Sequence, residues 1–503
     1  MDVVFWNSLN PGRWQFLSRY IGPYKLSHWI DKHGYSSQVI DFILYMTEDQ
    51  LYTATKKFIT SETAVLGLST TFIASTEEYT WVDGSRHPFP EHIISVARRI
   101  KAEYPALKIV IGGYGSDHRY MFGIPHATIM SYTSATEDIF LEYLDHCKKG
   151  TPLPLGKLIT QYTGELIGAT TKHRMHYNTA RTSVYSIETD DFVWRDKDLI
   201  LDDESLPLDL SRGCIFACRF CQFPHLGKSK LDYLRRMEYV KEELISNYEK
   251  FKITKYMVLD DTFNDTEHKL RLFNDMVSTL PFKITYSAYI RADLIHRFPD
   301  TAYMLKESGL FGSFNGLESL NPYASKLVGK AWSGKHAREF IPQLYHDIWK
   351  SEVPMLLSFI IGLPKETVVD VFSTAKWVKE NNLYSAVFHK LGLFSTATNV
   401  QHTILSEFDK NYSKYGFSFD SNEKWYNETW TEQGAGRVTT DMGKYLYREG
   451  INKISTWNLG NMLSYGFSKQ YLIDTPINSI DYAVISKCST ERFINYYNRL
   501  IGL

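Results

Sequence analysis

The chain contains 503 residues, more than one hydrophobic core usually supports, so we expect two or three domains. Hydrophobic residues make up 44% of it, aromatic residues 15% and charged residues 22%, which excludes a disordered or fibrous protein. The 56 basic and 57 acidic side chains give a net charge of −1, so no overall basic field favours nucleic acid or an anionic membrane as a partner.

Residues 1–150 alternate short apolar runs with amphipathic stretches. The predicted strands are 2–6, 37–42, 64–69, 108–113 and 127–131. The helices predicted between them are 22–33, 46–60, 90–103 and 136–148. Strands that alternate with helices favour a parallel sheet covered on both faces, so we expect a Rossmann-like, doubly wound α/β domain here.

Periodicity fades over residues 151–205, which we interpret as a linker, and the alternation resumes over residues 206–395. The six strands predicted there are 206–211, 255–260, 283–288, 312–318, 355–361 and 385–391. The helices between them include 236–250, 266–279, 298–308, 335–350 and 367–381. Six βα units are two fewer than a closed eight-fold barrel needs, so they predict a partial (β/α)₆ barrel with ligands at the carboxyl ends of its strands.

Residues 396–503 are rich in Tyr, Trp and Asn and are predicted to form a mostly helical C-terminal cap. Its aromatic residues could line a pocket, but such side chains are more often part of a core. These residues are Trp425, Tyr426, Trp430, Trp457 and Tyr465.

Three of the five cysteines lie within eight residues, and the spacing of Cys214, Cys218 and Cys221 is C-x3-C-x2-C, directly after a predicted strand. A tight loop with this spacing suits three corners of a [4Fe–4S] cluster and leaves one iron without a protein ligand. A structural zinc site is the alternative, with His225 as a fourth ligand, although zinc ligands more often come as two separated pairs. Only Cys147 and Cys488 remain, and neither has a partner cysteine close in sequence, so we expect no second cluster.

The cysteine segment resembles the signature of the radical S-adenosylmethionine (SAM) superfamily, C-x3-C-x-aromatic-C, with Phe220 as the aromatic residue. Further motifs follow in the order and spacing typical of that family. They are VLDDTF (258–263), YIRAD (289–293), GLES (316–319) and IIGLPKET (360–367). The resemblance covers about residues 206–392 and implies that SAM chelates the open iron of the cluster.

The resemblance also implies roles for single residues. The Phe220 region would contact adenine, Arg291 and Glu318 would make polar contacts to ribose or methionine groups, and the Gly362 turn would let backbone approach the nucleoside. Two alternatives remain open: Arg291 and Glu318 pair with each other, or Gly362 simply ends a strand. No catalytic residue is predicted beyond the ligands of the cofactors.

Residues 1–150 resemble the cobalamin-binding domain that precedes the radical SAM domain in one class of the family. The matching segments are 22–42, LGLSTTF (66–72) and IVIGGYGS (109–116). The predicted cobalamin contacts are Ser69, Thr70, Gly112, Gly113 and Gly115. A tight βα turn without a ligand is the alternative, and SYTSATED (131–138) departs from the glycine- and glutamate-rich loop of many relatives.

We expect no histidine as the lower cobalt ligand. His33 lies at the end of the first predicted helix, where a cation is favourable without any metal, and His118 is nearer the cofactor edge but is not expected to bind cobalt. The resemblance thus implies three cofactors, namely a [4Fe–4S] cluster, SAM and cobalamin.

The function implied is a cobalamin-dependent radical SAM methyltransferase. The cluster would cleave SAM to a 5′-deoxyadenosyl radical, and methylcobalamin would donate methyl to an unactivated carbon. A radical cyclisation, rearrangement or oxidation without methyl transfer is the alternative, and a zinc-bearing binding module is a third possibility. We expect a small-molecule or peptide substrate and a flavodoxin- or ferredoxin-type electron donor. Without a signal peptide or an apolar run of about 18 residues, the chain is expected to be cytoplasmic, with no membrane or nucleic-acid partner.

Overall fold

The computed structural model describes residues 1–9, 16–69, 73, 79–80, 86–87, 89–113, 128–131, 136–152, 155–162, 174–177, 185–221, 233–330, 332–394 and 405–502. Its strands are β1 (Val3–Trp6), β2 (Ser37–Ile40), β3 (Val65–Ser69), β4 (Tyr79–Thr80), β5 (Arg86–His87), β6 (Lys108–Gly113), β7 (Thr128–Ser131), β8 (Leu155–Tyr162), β9 (Arg174–Tyr177), β10 (Ser205–Leu208), β11 (Lys255–Val258), β12 (Thr285–Ile290), β13 (Leu310–Glu318), β14 (Met355–Ile361), β15 (Ser385–Lys390), β16 (Ser418–Phe419) and β17 (Trp425–Tyr426).

The α-helices are α1 (Gly22–Lys32), α2 (Glu48–Phe58), α3 (Glu91–Glu103), α4 (Thr136–Lys149), α5 (Met237–Phe251), α6 (Glu267–Ser278), α7 (Ala292–Arg297), α8 (Asp300–Glu307), α9 (Ala324–Leu327), α10 (Gly334–Pro342), α11 (Val368–Glu380), α12 (Glu407–Lys410), α13 (Glu432–Arg448), α14 (Leu459–Ser464), α15 (Lys469–Asp474) and α16 (Tyr482–Ile501). A π-helical segment, Gln343–Ile348, continues α10. Within these described ranges, no helix is long and apolar enough to cross a membrane.

The chain divides into two compact units. The first comprises Met1–Asp202 together with Ala483–Leu503, and the second comprises Asp203–Tyr482. Residues 151–205, predicted to be a linker, fall almost wholly in the first unit. The predicted C-terminal segment 396–503 is divided, because most of it belongs to the second unit and its last helix to the first.

The first unit contains the predicted doubly wound sheet, whose strand order is β2-β1-β3-β6-β7-β8-β9. The first five strands in this order, β2, β1, β3, β6 and β7, are parallel. They are the five strands predicted from the sequence. The strand order reverses direction between β1 and β3, which is where open α/β sheets bind ligands at the carboxyl ends of their strands. β8 and β9 extend the sheet in antiparallel pairing, so part of the predicted linker is strand.

Helices cover this sheet, with α1 beside α4 and α2 beside α3. The last helix, α16, completes the core of the same unit because Phe493, Tyr496 and Leu500 recur at helical spacing and are buried in it. The hydroxyl of Tyr496 also accepts the backbone N–H of Asp41, which follows β2, at 2.7 Å. The final helix therefore belongs to the N-terminal unit although 280 residues separate the two parts.

The second unit is a partial barrel of six parallel strands in the order β10-β11-β12-β13-β14-β15. All seven residues of β14 are buried, as expected for a strand covered on both faces. Each predicted strand and each predicted helix of this region is present within a few residues of its predicted bounds. The predicted α/β fold class is confirmed by the two parallel sheets.

Residues after the sixth strand complete the barrel. The Trp457 ring contacts those of Tyr289 on β12 and Phe314 on β13, with centroids 4.2 and 5.5 Å away. Gly312 on β13 has no room for a side chain, because a Cβ there would lie 2.6 Å from Cδ1 of Leu459. The region predicted as a cap is mostly helical, but this part of it packs against the strands.

Candidate functional site

The loop that follows β10 carries the three signature cysteines, and we call its described part, residues 209–221, the cysteine loop. A buried carboxylate anchors the start of this loop. Asp260, which follows β11, accepts the backbone N–H groups of Leu210 and Ser211 at 2.8 and 3.0 Å and the Ser211 hydroxyl at 2.8 Å. The Lys269 ammonium lies 2.5 Å from the same carboxylate, and both side chains are fully buried. The first aspartate of the VLDDTF motif thus fixes the start of the cysteine loop and compensates its own burial through Lys269.

The three signature cysteines lie along this loop and are partly buried. The Cys214 thiol is 3.4 Å from the Thr262 hydroxyl, and the backbone N–H of Cys221 donates to the Cys218 carbonyl at 3.0 Å. The Arg291 guanidinium donates to the Cys218 sulfur at 3.8 Å. The structure therefore brings Cys214 and Cys218 beside residues of the second and third motifs.

Arg291 is held in place by several partners. Its guanidinium pairs with Asp293, at 2.6 and 3.0 Å, and lies 4.0 Å from the ring centroid of Phe216 in the cysteine loop. The Asn264 side chain accepts its backbone N–H and donates to its carbonyl. Arg291 is 9% exposed, so these contacts leave it as a fixed cation beside the thiols.

Glu318 ends β13 in an unusual conformation, with φ of +65° and a register shift against β14. Its carboxylate pairs with Lys330 at 2.7 Å, and both side chains are largely buried. The Lys330 ammonium also donates to the Gly316 carbonyl at 2.5 Å. The partner of Glu318 is Lys330 and that of Arg291 is Asp293, so the alternative in which Glu318 and Arg291 pair with each other is wrong.

Charges around Cys218 act against its burial. Burial raises the pKa of the Cys218 thiol above its ordinary value, and the nearby Lys330 and Arg291 offset only part of this rise. Cations beside thiols stabilise the thiolate, which is the form that binds metal. The surroundings of this cysteine therefore suit a metal ligand.

The Gly362 turn follows β14 and has a φ of +115°. A Cβ at this position would lie 2.4 Å from Cη2 of Trp425, so the glycine makes room for an indole. Its carbonyl accepts the Asn427 side chain at 2.9 Å. A nucleoside contact at this turn stays a prediction, and so does an adenine contact at the partly buried Phe220.

A buried carboxyl connects the fourth and fifth motifs. Glu366 accepts the Ser319 hydroxyl at one oxygen, and its other oxygen has no hydrogen-bond partner among the described residues. Burial raises the pKa of Glu366 to about 8, so it is protonated at neutral pH. The serine of GLES and the glutamate of IIGLPKET therefore hold the ends of β13 and β14 together.

The first unit has its own candidate site at the carboxyl ends of β1, β3 and β6. Ser69 pairs with Gly112 across β3 and β6, and Gly113 adopts a φ of +119° that favours glycine. Asn7, directly after β1, is fully buried, and its Oδ1 has no hydrogen-bond partner within the described part of the chain. Of the predicted contacts, Thr70 and Gly115 lie outside the described residues.

Three other residues that the sequence singled out, His33, Cys147 and Cys488, lie on helices of the first unit or at their ends. The His33 Nδ1–H donates to the Trp29 carbonyl at 2.7 Å at the end of α1, which is the local role predicted for it. Cys147 lies on α4, where burial raises its pKa to about 11, and Cys488 lies on α16. His118 and His225 lie outside the described residues.

Comparisons with known proteins identify the family. Residues 208–378 match the family model described as the radical SAM superfamily. The second unit thus carries a radical SAM domain. The chain is 28% identical over 183 residues to an uncharacterised methyltransferase from Pyrococcus horikoshii, an alignment covering 35% of this chain and 37% of that protein. It is also 23% identical over 192 residues to the bacteriochlorophyllide d C-8(2)-methyltransferase of Chlorobaculum tepidum, covering 37% of this chain and 41% of that one.

Solved structures extend the likeness in fold to both units of the chain. A structure of the radical SAM methyltransferase TsrM from Kitasatospora setae, with cobalamin and a [4Fe–4S] cluster bound, has a TM-score of 0.60, 14% identity and coverage of 98% of this chain and 99% of that one. A structure of the cobalamin-dependent SAM radical enzyme OxsB, with aqua-cobalamin and SAM bound, has a TM-score of 0.61, 14% identity and coverage of 99% and 72%. At this identity the likeness concerns the fold, and the predicted fold is confirmed.

The donor set of the second unit fits an iron–sulfur cluster. Cys214 and Cys218 are close enough for their charges to interact, and Arg291 and Lys330 supply positive charge around them. Among the described residues, no three His, Cys, Asp or Glu side chains could share one metal ion. A cubane differs from such a site, because each thiolate binds a different iron. The zinc alternative involves His225, which lies outside the described residues.

Sequence reasoning missed four residues of the sites, namely Lys330, Phe216, Glu366 and Asn7. Phe216 lies between the first two signature cysteines, and Glu366 lies within IIGLPKET. An aromatic residue and an acidic residue inside these motifs are signals that could have identified them. Lys330 is 12 residues from its partner Glu318, and no local pattern connects the two.

Proposed function

We propose that this protein is a cobalamin-dependent radical SAM methyltransferase that methylates an unactivated carbon. The observation that carries the proposal is the grouping of the signature cysteines with Arg291 and the Glu318–Lys330 pair at the carboxyl end of the partial barrel. The methyltransferase relatives and the fold shared with TsrM and OxsB support it. The chain aligns to about two fifths of the curated relatives, so activity and substrate are our proposals.

Cys214, Cys218 and Cys221 would hold the [4Fe–4S] cluster. The cluster, when bound, supplies the electron that cleaves the sulfonium of SAM to give a 5′-deoxyadenosyl radical. Cys218 is partly buried, and Arg291 fixes positive charge beside its sulfur. These residues thus hold the thiolates in place and compensate their negative charge.

The polar groups behind the cysteine loop would orient SAM. Glu318 offers a carboxylate to hydroxyl or ammonium groups of SAM, and Lys330, only 11% exposed at its side chain, pairs with that carboxylate and holds it in one position. Arg291 offers a cation to the carboxylate of the methionine moiety. The Phe220 region and the Gly362 turn would contact the adenine and the nucleoside.

The first unit would bind cobalamin, which would carry the methyl group to the substrate. Ser69, Gly112 and Gly113 lie at the carboxyl edge of its sheet, beside the point where strand order reverses. Gly113 has no side chain, so a ligand can approach the backbone at that edge. The Oδ1 of buried Asn7, which has no hydrogen-bond partner among the described residues, supplies an acceptor there. We include Thr70 and Gly115 in the proposed site on the sequence resemblance alone.

The substrate and the electron donor are inferred by class. A small molecule or a peptide suits a radical reaction inside a partial barrel, and a flavodoxin- or ferredoxin-type protein would supply the electron. The experiment is anaerobic reconstitution with iron, sulfide and hydroxocobalamin, followed by reduction in the presence of SAM. We expect about four irons per chain, corrin absorbance that stays with the protein on gel filtration, and release of 5′-deoxyadenosine.

The outcomes separate the proposal from its alternatives. Zinc without sulfide would overturn the radical assignment and favour the binding module. Cluster and 5′-deoxyadenosine without retained corrin would overturn the cobalamin assignment. A methylated product is heavier than its substrate by about 14 mass units, the mass of an added CH₂ group. If both cofactors are bound and SAM is consumed but no product shows this increase, the result would favour cyclisation, rearrangement or oxidation.

A further inference from the structure

A segment beyond the family match connects two loops of the proposed SAM site. We call residues 406–431 the clamp segment; it contains α12, β16 and β17 and lies in the second unit. One end contacts the cysteine loop, and the other contacts the turn that follows β14. Nothing in the signature motifs requires such a segment.

The first end of the clamp segment holds Arg219, which lies between the second and third signature cysteines. The backbone N–H of Phe408 donates to the Arg219 carbonyl at 2.8 Å, and the Arg219 guanidinium lies 5.4 Å from the Tyr415 ring centroid. On its other side, Arg219 makes two further hydrogen bonds. Its guanidinium donates to the Leu327 carbonyl at 2.9 Å, and its backbone N–H donates to the Val328 carbonyl at 3.0 Å. The cysteine loop is thus fixed between the end of α9 and the clamp segment.

A row of buried aromatic rings crosses the clamp segment. The Phe408 ring lies 5.0 Å from Tyr415 and 5.5 Å from Phe417, and Phe417 lies 6.0 Å from Trp425. None of the four is more than 9% exposed. Closely packed rings resist compression and displacement, so the two ends of the row keep a fixed separation.

The second end of the clamp segment holds the turn from Gly362 to Glu366. Trp425 fills the space beside Gly362, and the Asn427 side chain donates to the Gly362 carbonyl at 2.9 Å. The Trp430 indole N–H donates to the Glu366 carbonyl at 2.6 Å. Through its side chain, Glu366 reaches Ser319, the neighbour of Glu318.

We propose that the clamp segment is a positioning element of the SAM site, which sets the cysteine loop and the Gly362–Glu366 turn at a fixed separation. The inference rests on the proposed function, because it assumes that the cysteine loop holds the cluster and that the turn faces SAM. In this proposal the residues of the clamp segment bind neither group directly. They act through Arg219, Gly362 and Glu366.

Two conservative variants test the second end. Trp430→Phe removes the indole N–H and keeps an aromatic ring. Asn427→Asp removes the donor to Gly362 and keeps the Oδ1 that accepts the backbone N–H groups of Thr429 and Trp430. The matched control is Trp349→Phe, because the fully buried Trp349 also donates its indole N–H to a carbonyl in this unit, that of Ala302 at 3.0 Å.

The measurements are iron content after reconstitution, the Kd for SAM by anaerobic equilibrium dialysis, and hydrogen exchange of cofactor-free protein. We expect both clamp variants to keep wild-type iron content, to raise the Kd about three- to tenfold, which corresponds to one lost hydrogen bond, and to exchange faster at residues 360–367. Trp349→Phe should change the Kd less than about twofold.

Unchanged Kd and unchanged exchange in both clamp variants would overturn the inference while leaving the proposed function intact. An equal rise in Kd for Trp349→Phe would also overturn it, because the effect would then be general destabilisation. A wild-type protein that holds iron but does not bind SAM would instead overturn the proposed function, and the inference with it.

Discussion

The buried carboxyl of Glu366 makes the stability of the second unit depend on pH. Its folded-state pKa of about 8 lies above the ordinary value of 4.5 because burial opposes ionisation. Between these two values the unfolded chain is ionised while the folded chain keeps the proton, so folding takes up a proton. The contribution of protonated Glu366 to the free energy of unfolding is therefore fully present below about pH 4.5. It falls by about 1.4 kcal/mol per pH unit as the pH rises towards 8.

Glu366→Gln removes the titration and keeps an oxygen that accepts the Ser319 hydroxyl. At pH 5 we expect the variant to match wild type within about 1 kcal/mol, the contribution of one hydrogen bond. Across the three pH units up to pH 8, the wild-type free energy of unfolding should fall by about 4 kcal/mol relative to the variant. The variant should therefore be the more stable protein at pH 8.

The assay is urea unfolding of cofactor-free protein, followed by tryptophan fluorescence, at pH 5, 6.5 and 8. Glu339→Gln is the control, because the Glu339 side chain is 65% exposed and its substitution removes a glutamate of the same unit. The control should follow the wild-type profile. Parallel profiles of wild type and Glu366→Gln from pH 5 to 8 would refute the reasoning, because Glu366 would then be ionised in the folded protein.

Three further predictions concern the proposed SAM site. Replacing any one signature cysteine by serine should reduce bound iron from about four per chain to near zero, whereas Cys147→Ser should leave iron content unchanged. Lys330→Ala leaves the Glu318 carboxylate buried without its cation and should lower the free energy of unfolding by about 3–5 kcal/mol; an unchanged urea midpoint would contradict this. Gly362→Ala should cost about 2 kcal/mol or more, because its Cβ meets Trp425 at positive φ, and Trp425→Leu should relieve part of that cost in a double-mutant cycle.

Much of the fold could be predicted because local signals are strong where strands are buried on both faces. β14 was predicted at 355–361 and lies there, since its apolar run is bounded by Pro354 and Gly362. α3 begins directly after Pro90, close to the predicted start. The strands β8 and β9 were not predicted, because they lie at the edge of the sheet and depend on antiparallel pairing with β7 rather than on a local pattern.

The candidate site was predictable only where a motif carries it. The cysteine loop and Arg291 are close together, as the order of the motifs implied. The conformation of Glu318 was not predictable, because few residues other than glycine adopt a positive φ. Its partner Lys330 is brought in by the fold of the intervening turn, and a contact of that kind leaves no spacing pattern in the sequence.

The barrel is completed by residues that the sequence assigned to a separate cap. Gly312 and Gly460 are both positions where a Cβ would collide, with Leu459 in one case and with Ser205 in the other. These close approaches bring α14 against the strands, and Trp457 closes the aromatic cluster between β12 and β13. Because such packing cannot be lost without opening cavities in the core, a segment ending near residue 395 would lack part of its own interior. The unit that carries the signature cysteines is therefore Asp203–Tyr482, and the match at 208–378 marks only its most recognisable part.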